Sequence, residues 1–144
     1  VKEITSDIWC AAKGSVLVVT TNGDVRKDGA CVMGRGLALQ ASRRFPDLPF
    51  VLGNRIVVNG NHAHHLGSWH EYEIVSLPVK HHWRDPANLL LIERSIKELQ
   101  ELALSGLVFL TRPGCQNGRL LWKDVRPLLL GLSDQYIICD WAAA

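Results

Sequence analysis

TTNGDVRKDGACVMGRGLALQASRRF, residues 20–45, carries more information about the architecture than any other stretch of the 144-residue chain. The apolar run Val16-Leu17-Val18-Val19 that leads into it reads as a buried strand ending at Asn22-Gly23. A loop containing Gly23, Gly29, Gly34 and Gly36 follows, and Leu37-Ala38-Leu39-Gln40-Ala41 opens a helical pattern that stops at Pro46. A strand that feeds a glycine loop and then a helix turns free backbone N–H groups toward an anion. Glycine there permits positive φ and lets a ligand come close to the main chain. The spacing Gly-Arg-Gly-Leu-Ala matches neither the dinucleotide fingerprint nor the phosphate loop that ends in Lys-Ser/Thr. A phosphate-bearing ligand and a plain turn are therefore both open readings of this segment.

Outward from it, Lys2–Cys10 reads as a first strand broken near Ser6-Asp7 and continued by Ile8 and Trp9. Leu48, Val51, Leu52 and Ile56 give a short second helix, closed by Asn59-Gly60-Asn61. Residues 62–66 and 73–78 read as two strands joined by a turn containing Gly67. Leu89–Leu104 is the longest predicted helix, with Leu89, Ile92, Ile96, Leu99, Leu102 and Ala103 as its apolar stripe and Gly106 as its cap. Leu107–Leu110 is a buried strand leading into a second glycine loop, residues 112–118. Trp122–Leu130 reads as helical provided Pro127 falls in a first turn, and Tyr136–Cys139 as a last strand. Alternating strands and helices predict an α/β fold with helices on both faces of a mixed sheet, and one domain over residues 1–144. Two strands ending in glycine loops offer two walls for one cleft beyond the strand ends.

Composition narrows the function classes. A net charge of +2 is too small to imply nucleic acid by itself and does not oppose an anionic ligand. Cys10, Cys31, Cys115 and Cys139 form no Cys-x-x-Cys pair and read as reduced thiols of a cytoplasmic protein, with disulfides left open by the even count. No apolar run reaches the ~20 residues of a membrane span, and Val1-Lys2-Glu3-Ile4 does not read as a signal peptide. Six histidines invite a metal site, but His64 and His65 point to opposite faces of a strand, so no metal is expected. Cys31 and Cys115 lie in the glycine loops without a histidine recognisable as a base. Trp69, Trp83 and Trp122 read as packing residues rather than a stacking platform, and Arg35, Arg43, Arg44 and Arg112 as either a weak RNA-binding signal or a solvated face.

Asn22-Gly23, then Val32-Met33-Gly34-Arg35-Gly36-Leu37-Ala38, then Arg43-Arg44-Phe45-Pro46 resembles the first ligand loop of macrodomains. Pro113-Gly114-Cys115-Gln116-Asn117-Gly118-Arg119-Leu120 with Trp122 looks like their second loop, and Ser6-Asp7-Ile8 like the end of their first strand. The likeness runs over nearly the whole chain. It is greatest to the branch of the terminal ADP-ribose protein glycohydrolase and the antitoxin macrodomains that remove ADP-ribose from DNA.

The resemblance implies a three-layer α/β/α fold with a mixed central sheet and an ADP-ribose cleft at the strand ends. It implies that Asp7 accepts the adenine amino group and that the Ile8 backbone lines the same pocket. Val32, Met33, Gly34, Arg35, Gly36, Leu37 and Ala38 are then expected around the diphosphate and distal ribose, with Asn22 near that ribose. Pro113, Gly114, Cys115, Gln116, Asn117 and Gly118 are expected to close the other side, and Trp141 to border the adenine. Lys80 matches the lysine that attacks the anomeric carbon in the hydrolase branch, whereas Gly118 stands where the terminal glycohydrolase has an assisting aspartate. The implied activity is hydrolysis of an ADP-ribosyl bond on protein or nucleic acid by a monomer without a cofactor. An ADP-ribose 1″-phosphate phosphatase and a non-catalytic ADP-ribose reader are the alternatives.

Overall fold

The computed structural model describes residues 1–140; the expectation for Trp141 lies outside the described residues. Six strands form one sheet: β1 (Lys2–Thr5), β2 (Val16–Thr21), β3 (His64–Trp69), β4 (Tyr72–Pro78), β5 (Val108–Leu110) and β6 (Tyr136–Asp140). Their order is β1-β6-β5-β2-β4-β3, parallel throughout except for the antiparallel β3–β4 pair. The helices are α1 (Ile8–Ala11), α2 (Gly36–Arg44), α3 (Leu48–Asn59), α4 (Leu89–Glu101) and α5 (Trp122–Val125), the last followed by a 3-10 turn at Arg126–Leu128.

Strand β2 shows why the sheet is covered on both sides. Leu17 and Val19 pack with Ile8, Leu37, Ala41, Leu48 and Leu52 from α1, α2 and α3. Val16 and Val18 pack with Ile92, Ile96, Leu99 and Val125 from α4 and α5. Period-two alternation thus sends successive apolar side chains of β2 into two cores, which is the three-layer α/β/α arrangement. The parallel register brings the ends of β2, β4, β5 and β6 (Thr21, Pro78, Leu110 and Asp140) to one edge of the sheet. The loops that follow β2, β4 and β5 emerge together there.

Four local readings need correction. Ile8 and Trp9 continue no strand: Asp7 accepts a hydrogen bond from the Trp9 amide at 2.9 Å and caps the short α1 instead. The capping bond and burial of both apolar side chains override their strand preference. Gly67 lies within β3, at a register shift beside His65, with φ of 135°; the chain reverses at His70-Glu71, where His70 takes φ of 52°. Helix α4 ends at Glu101 because Ala103 adopts φ of 50°, so Gly106 belongs to the loop beyond the cap. Its buried stripe is Leu91, Ile92, Ser95, Ile96 and Leu99, while Leu89 is 40% exposed. The Ser95 hydroxyl within that stripe donates to the Pro78 carbonyl at 2.7 Å, tying α4 to the end of β4. Pro127 does fall in a first turn, that of the 3-10 segment.

One glycine fixes how α3 supports the first loop. A Cβ at Gly53 would stand 1.9 Å from the Gly29 carbonyl oxygen, where the Cys31 amide also bonds the Pro49 carbonyl at 2.9 Å. Gly53→Ala is expected to lower stability by about 1–3 kcal/mol, the range for forced overpacking. Urea denaturation of the two proteins measures this directly.

Candidate functional site

The first loop divides into two functional parts. Residues 24–32 form a tight excursion held by the Val25–Cys31 bridge and by the Arg26 amide on the Ala30 carbonyl at 2.8 Å. Asn22 locks its base: the side-chain amide donates to the Val32 carbonyl and the Asp24 amide donates to the Asn22 side-chain oxygen, both at 2.9 Å. After this knot the chain opens. Met33 to Gly36 run along a cavity into α2, whose N-cap Arg35 supplies no side-chain hydrogen bond. The first-turn amides of a helix have no intrahelical partner, so those of Gly36, Leu37 and Ala38 are donors at the cavity wall.

The cavity holds about 300 Å³. Asn22 and Val32, Met33, Gly34, Arg35, Gly36, Leu37 and Ala38 form one wall; Gly114, Gln116, Asn117 and Gly118 form the opposite one; Lys80 lies between them. The two loops approach so closely that a Cβ on Gly36, itself at φ of 55°, would stand 2.9 Å from the Asn117 side-chain nitrogen. Thr20, Thr21, Val79, Trp83, Thr111 and Arg112 also line the cavity. Their presence follows from strand register, which residue type alone does not announce.

Asp7, Ile8, Pro113 and Cys115 do not line this cavity. Ile8 is fully buried in the core, Pro113 is buried, and Asp7 is exposed at the start of α1. Cys115 lies in an adjoining cavity of about 260 Å³, beside Trp122, Cys139 and Asp140. Thr111, Arg112 and Gln116 are common to both cavities. Arg112 stands at the divide: its guanidinium lies 3.4 Å from the Asp140 carboxylate and 4.8 Å from the Trp122 ring centroid. Its buried Nε has no hydrogen-bond partner among the described residues.

Lys80 is held from several directions. Its Nζ donates to the carbonyls of Trp83 and Asn117, each at 3.4 Å, and its own carbonyl accepts from the Asn61 side chain at 3.1 Å. Burial lowers its pKa below the ordinary 10.5, the charges of Arg35 and Arg119 push the same way, and Asp85 opposes them. The two cations that act on it, Arg35 and Arg119, come from the two glycine loops.

The loop carrying Lys80 is clipped to the first loop by Asp24. Its carboxylate accepts from the Trp83 amide at 2.7 Å and pairs with the His82 ring at 3.1 Å, while the Gly23 amide donates to the His81 carbonyl. Burial raises the Asp24 pKa, but the Trp83 amide and His82 outweigh it and leave a net lowering; His82 is raised by its bond to Asp24.

Gly118 has a steric reason to be glycine. A Cβ there would stand 2.4 Å from the Gly114 carbonyl oxygen and 2.6 Å from the Ala87 Cβ. An aspartate cannot be accommodated on this backbone. The thiols are no better nucleophiles: burial pushes Cys31 up to about 12 and raises Cys115. His62 pairs with Glu98 at 2.6 Å, His64 reaches the Gly60 carbonyl at 3.0 Å, and His82 is on Asp24. Arg44 packs over Trp9 at 4.0 Å, in the last turn of α2, away from the cavity that Arg35 and Arg112 line.

No family model matches the sequence. A "DNA ADP-ribosyl glycohydrolase" of Mycobacterium tuberculosis (strain ATCC 25618 / H37Rv) is 31% identical over 119 residues, covering 72% of this chain and 32% of that protein. The chain therefore spans about a third of the length of this curated relative. The solved macrodomain of Mycobacterium tuberculosis DarG superposes with a TM-score of 0.76 at 26% identity, over 99% of this chain and 97% of that one. Thermosipho africanus DarTG, solved in complex with ADP-ribose, shares the fold with a TM-score of 0.77 at 21% identity, over 97% of this chain and 41% of that one. The chain belongs to the macrodomain family, with a two-loop cleft at the carboxyl edge of a three-layer α/β/α domain. Within that family it falls in the branch that includes the DarG macrodomains.

Proposed function

We propose that the chain, as a single monomeric macrodomain, binds ADP-ribose between its two glycine loops and hydrolyses the bond joining it to a macromolecule. The observation that carries the reading is Lys80, a partly desolvated amine with a lowered pKa, set between both loops. A neutral Lys80 attacks the anomeric carbon; the bond to the macromolecule breaks and its electron pair leaves with that group, which takes up a proton. Water then cleaves the lysine–ribose adduct, releasing ADP-ribose and restoring the amine. Asp85, close enough to act on the Lys80 charge, supplies the acid–base group that Gly118 cannot. The amides of Gly36–Ala38 bind the diphosphate, Asn22 shapes the distal ribose site, and the adjoining cavity divided off by Arg112 takes the adenosine end, near Asp7. No metal or cofactor enters this scheme.

ADP-ribosylated DNA is the favoured substrate, given the activity named for the similar mycobacterial protein. No helix among the described residues is long and apolar enough to cross a membrane, and all four cysteines are free thiols, which suits the cytoplasm. Gly118 also favours a second reading, a macrodomain that holds ADP-ribose without turnover. Turnover of ADP-ribosylated DNA, ADP-ribosylated protein and ADP-ribose 1″-phosphate distinguishes them. Release of ADP-ribose from DNA or protein supports the hydrolase. Phosphate release alone replaces it with a phosphatase, and binding without turnover replaces it with a reader.

The lowered Lys80 pKa has a sign that can be checked. The attacking form is deprotonated, so kcat/KM should rise with pH through a midpoint below 10.5. Removing a neighbouring cation raises a lysine pKa. Arg119→Gln should therefore move the rising limb to higher pH, read from a pH–rate profile of the two proteins.

A further inference from the structure

Trp83 does not pack as its residue type suggests. It is 45% exposed, whereas Trp9 is buried with its indole N–H on Gln40, Trp69 gives its N–H to Asp47, and Trp122 is covered by Arg112. Exposure here is not looseness. The Trp83 amide is fixed by the Asp24 carboxylate at 2.7 Å, its carbonyl takes a bond from Lys80 Nζ, and the Arg84 guanidinium sits 5.1 Å from its ring centroid. The result is an exposed indole on an anchored backbone, with Arg84 beside its ring, at the cavity that contains Lys80.

Charge around that ring is predominantly positive. Arg35, Arg84 and Arg119 are exposed, and Arg35 and Arg119 are close enough to depress Lys80. Of the acids nearby, Asp24 is already occupied by His82 and the Trp83 amide, which leaves Asp85. An exposed indole beside arginines is the combination by which proteins hold single strands: bases stack on the ring and phosphates meet the cations.

We propose that Trp83 is a stacking platform for a nucleobase of the single-stranded DNA that carries the ADP-ribose adduct, with Arg84 and Arg119 meeting the flanking phosphates. The inference rests on the hydrolase reading above. It assigns substrate choice to the loop that presents Lys80: a strand attached to the adduct leaves the cavity past Trp83, and a protein side chain attached there gains nothing from the ring.

The test compares Trp83→Ala and Trp83→Phe with wild type on an ADP-ribosylated single-stranded oligonucleotide and on the same ADP-ribosylated nucleotide without neighbours. Trp83→Ala should lower kcat/KM on the oligonucleotide by roughly 5- to 150-fold, the range for one base on one aromatic ring. The loss should be carried by KM, be at least several-fold smaller on the mononucleotide, and be largely restored by Phe. Equal losses on both substrates, or a loss in kcat, would mean that Trp83 only positions Lys80 and would overturn the proposal. So would a wild-type preference for ADP-ribosylated peptide or RNA over the DNA strand. Fluorescence anisotropy with an unmodified single-stranded DNA oligonucleotide separates the two claims. If wild type binds ADP-ribose but hydrolyses nothing, the hydrolase reading fails, and an unchanged oligonucleotide affinity in Trp83→Ala still refutes the platform on its own.

Discussion

Lys80→Ala is expected to reduce release of ADP-ribose from a modified macromolecule by about a thousandfold or more, the scale on which removal of a covalent nucleophile acts. Affinity for free ADP-ribose should change only a few-fold. The two effects separate because Lys80 contributes its amine to the chemistry and little to the walls. Its backbone is held independently, by the Asn61 side chain on its carbonyl and by pairing of the preceding residue, Val79, with Thr21. The loop should therefore keep its course in the variant. Lys80→Arg sharpens the test, since it keeps a positive charge in the cavity but offers no amine that deprotonates at working pH. If charge alone mattered, Arg would restore turnover; on the nucleophile reading it does not. Undiminished hydrolysis in Lys80→Ala, measured as ADP-ribose released under single-turnover conditions, would sink the lysine mechanism and leave a water-driven reaction.

What could be read from residue types was whatever depended on runs and periods. Four consecutive Val and Leu residues announced β2 because a strand buried on both faces needs no alternation, and the structure divides those four side chains between two cores. The apolar period of α4 and the glycine-rich character of both loops were legible in the same way. Ile8-Trp9 was misread because a single capping bond from Asp7 outweighs strand preference, and Gly67 because a bulge and a turn ask for the same residue. The electrostatics of Lys80 were not legible at all. Arg35 and Arg119 are 45 and 39 positions away, and only the parallel order β5-β2-β4 sets their loops around one amine. Gly118 shows the converse. Against the family pattern it looked like a lost catalytic group, while its contacts with Gly114 and Ala87 make it a packing requirement of this loop.

Gly34→Glu is expected to abolish ADP-ribose binding while leaving the fold intact. Gly34 is exposed on the cavity wall, its φ lies outside the left-handed region, and a Cβ there meets no atom within 4 Å. The backbone therefore tolerates a side chain, unlike Gly36, which combines φ of 55° with a close approach to Asn117. A glutamate at 34 starts next to the Gly36–Ala38 amides and is drawn to them, since a helix N-terminus attracts a carboxylate as readily as a phosphate. It occupies the diphosphate site and repels what charge remains. Gly34→Ala separates size from charge: one methyl in open space should alter affinity only a few-fold. Calorimetric titration of the three proteins, with circular dichroism to confirm folding, decides the matter. Wild-type affinity in a folded Gly34→Glu protein would move the diphosphate away from this loop and leave the Lys80 chemistry without its anchored substrate.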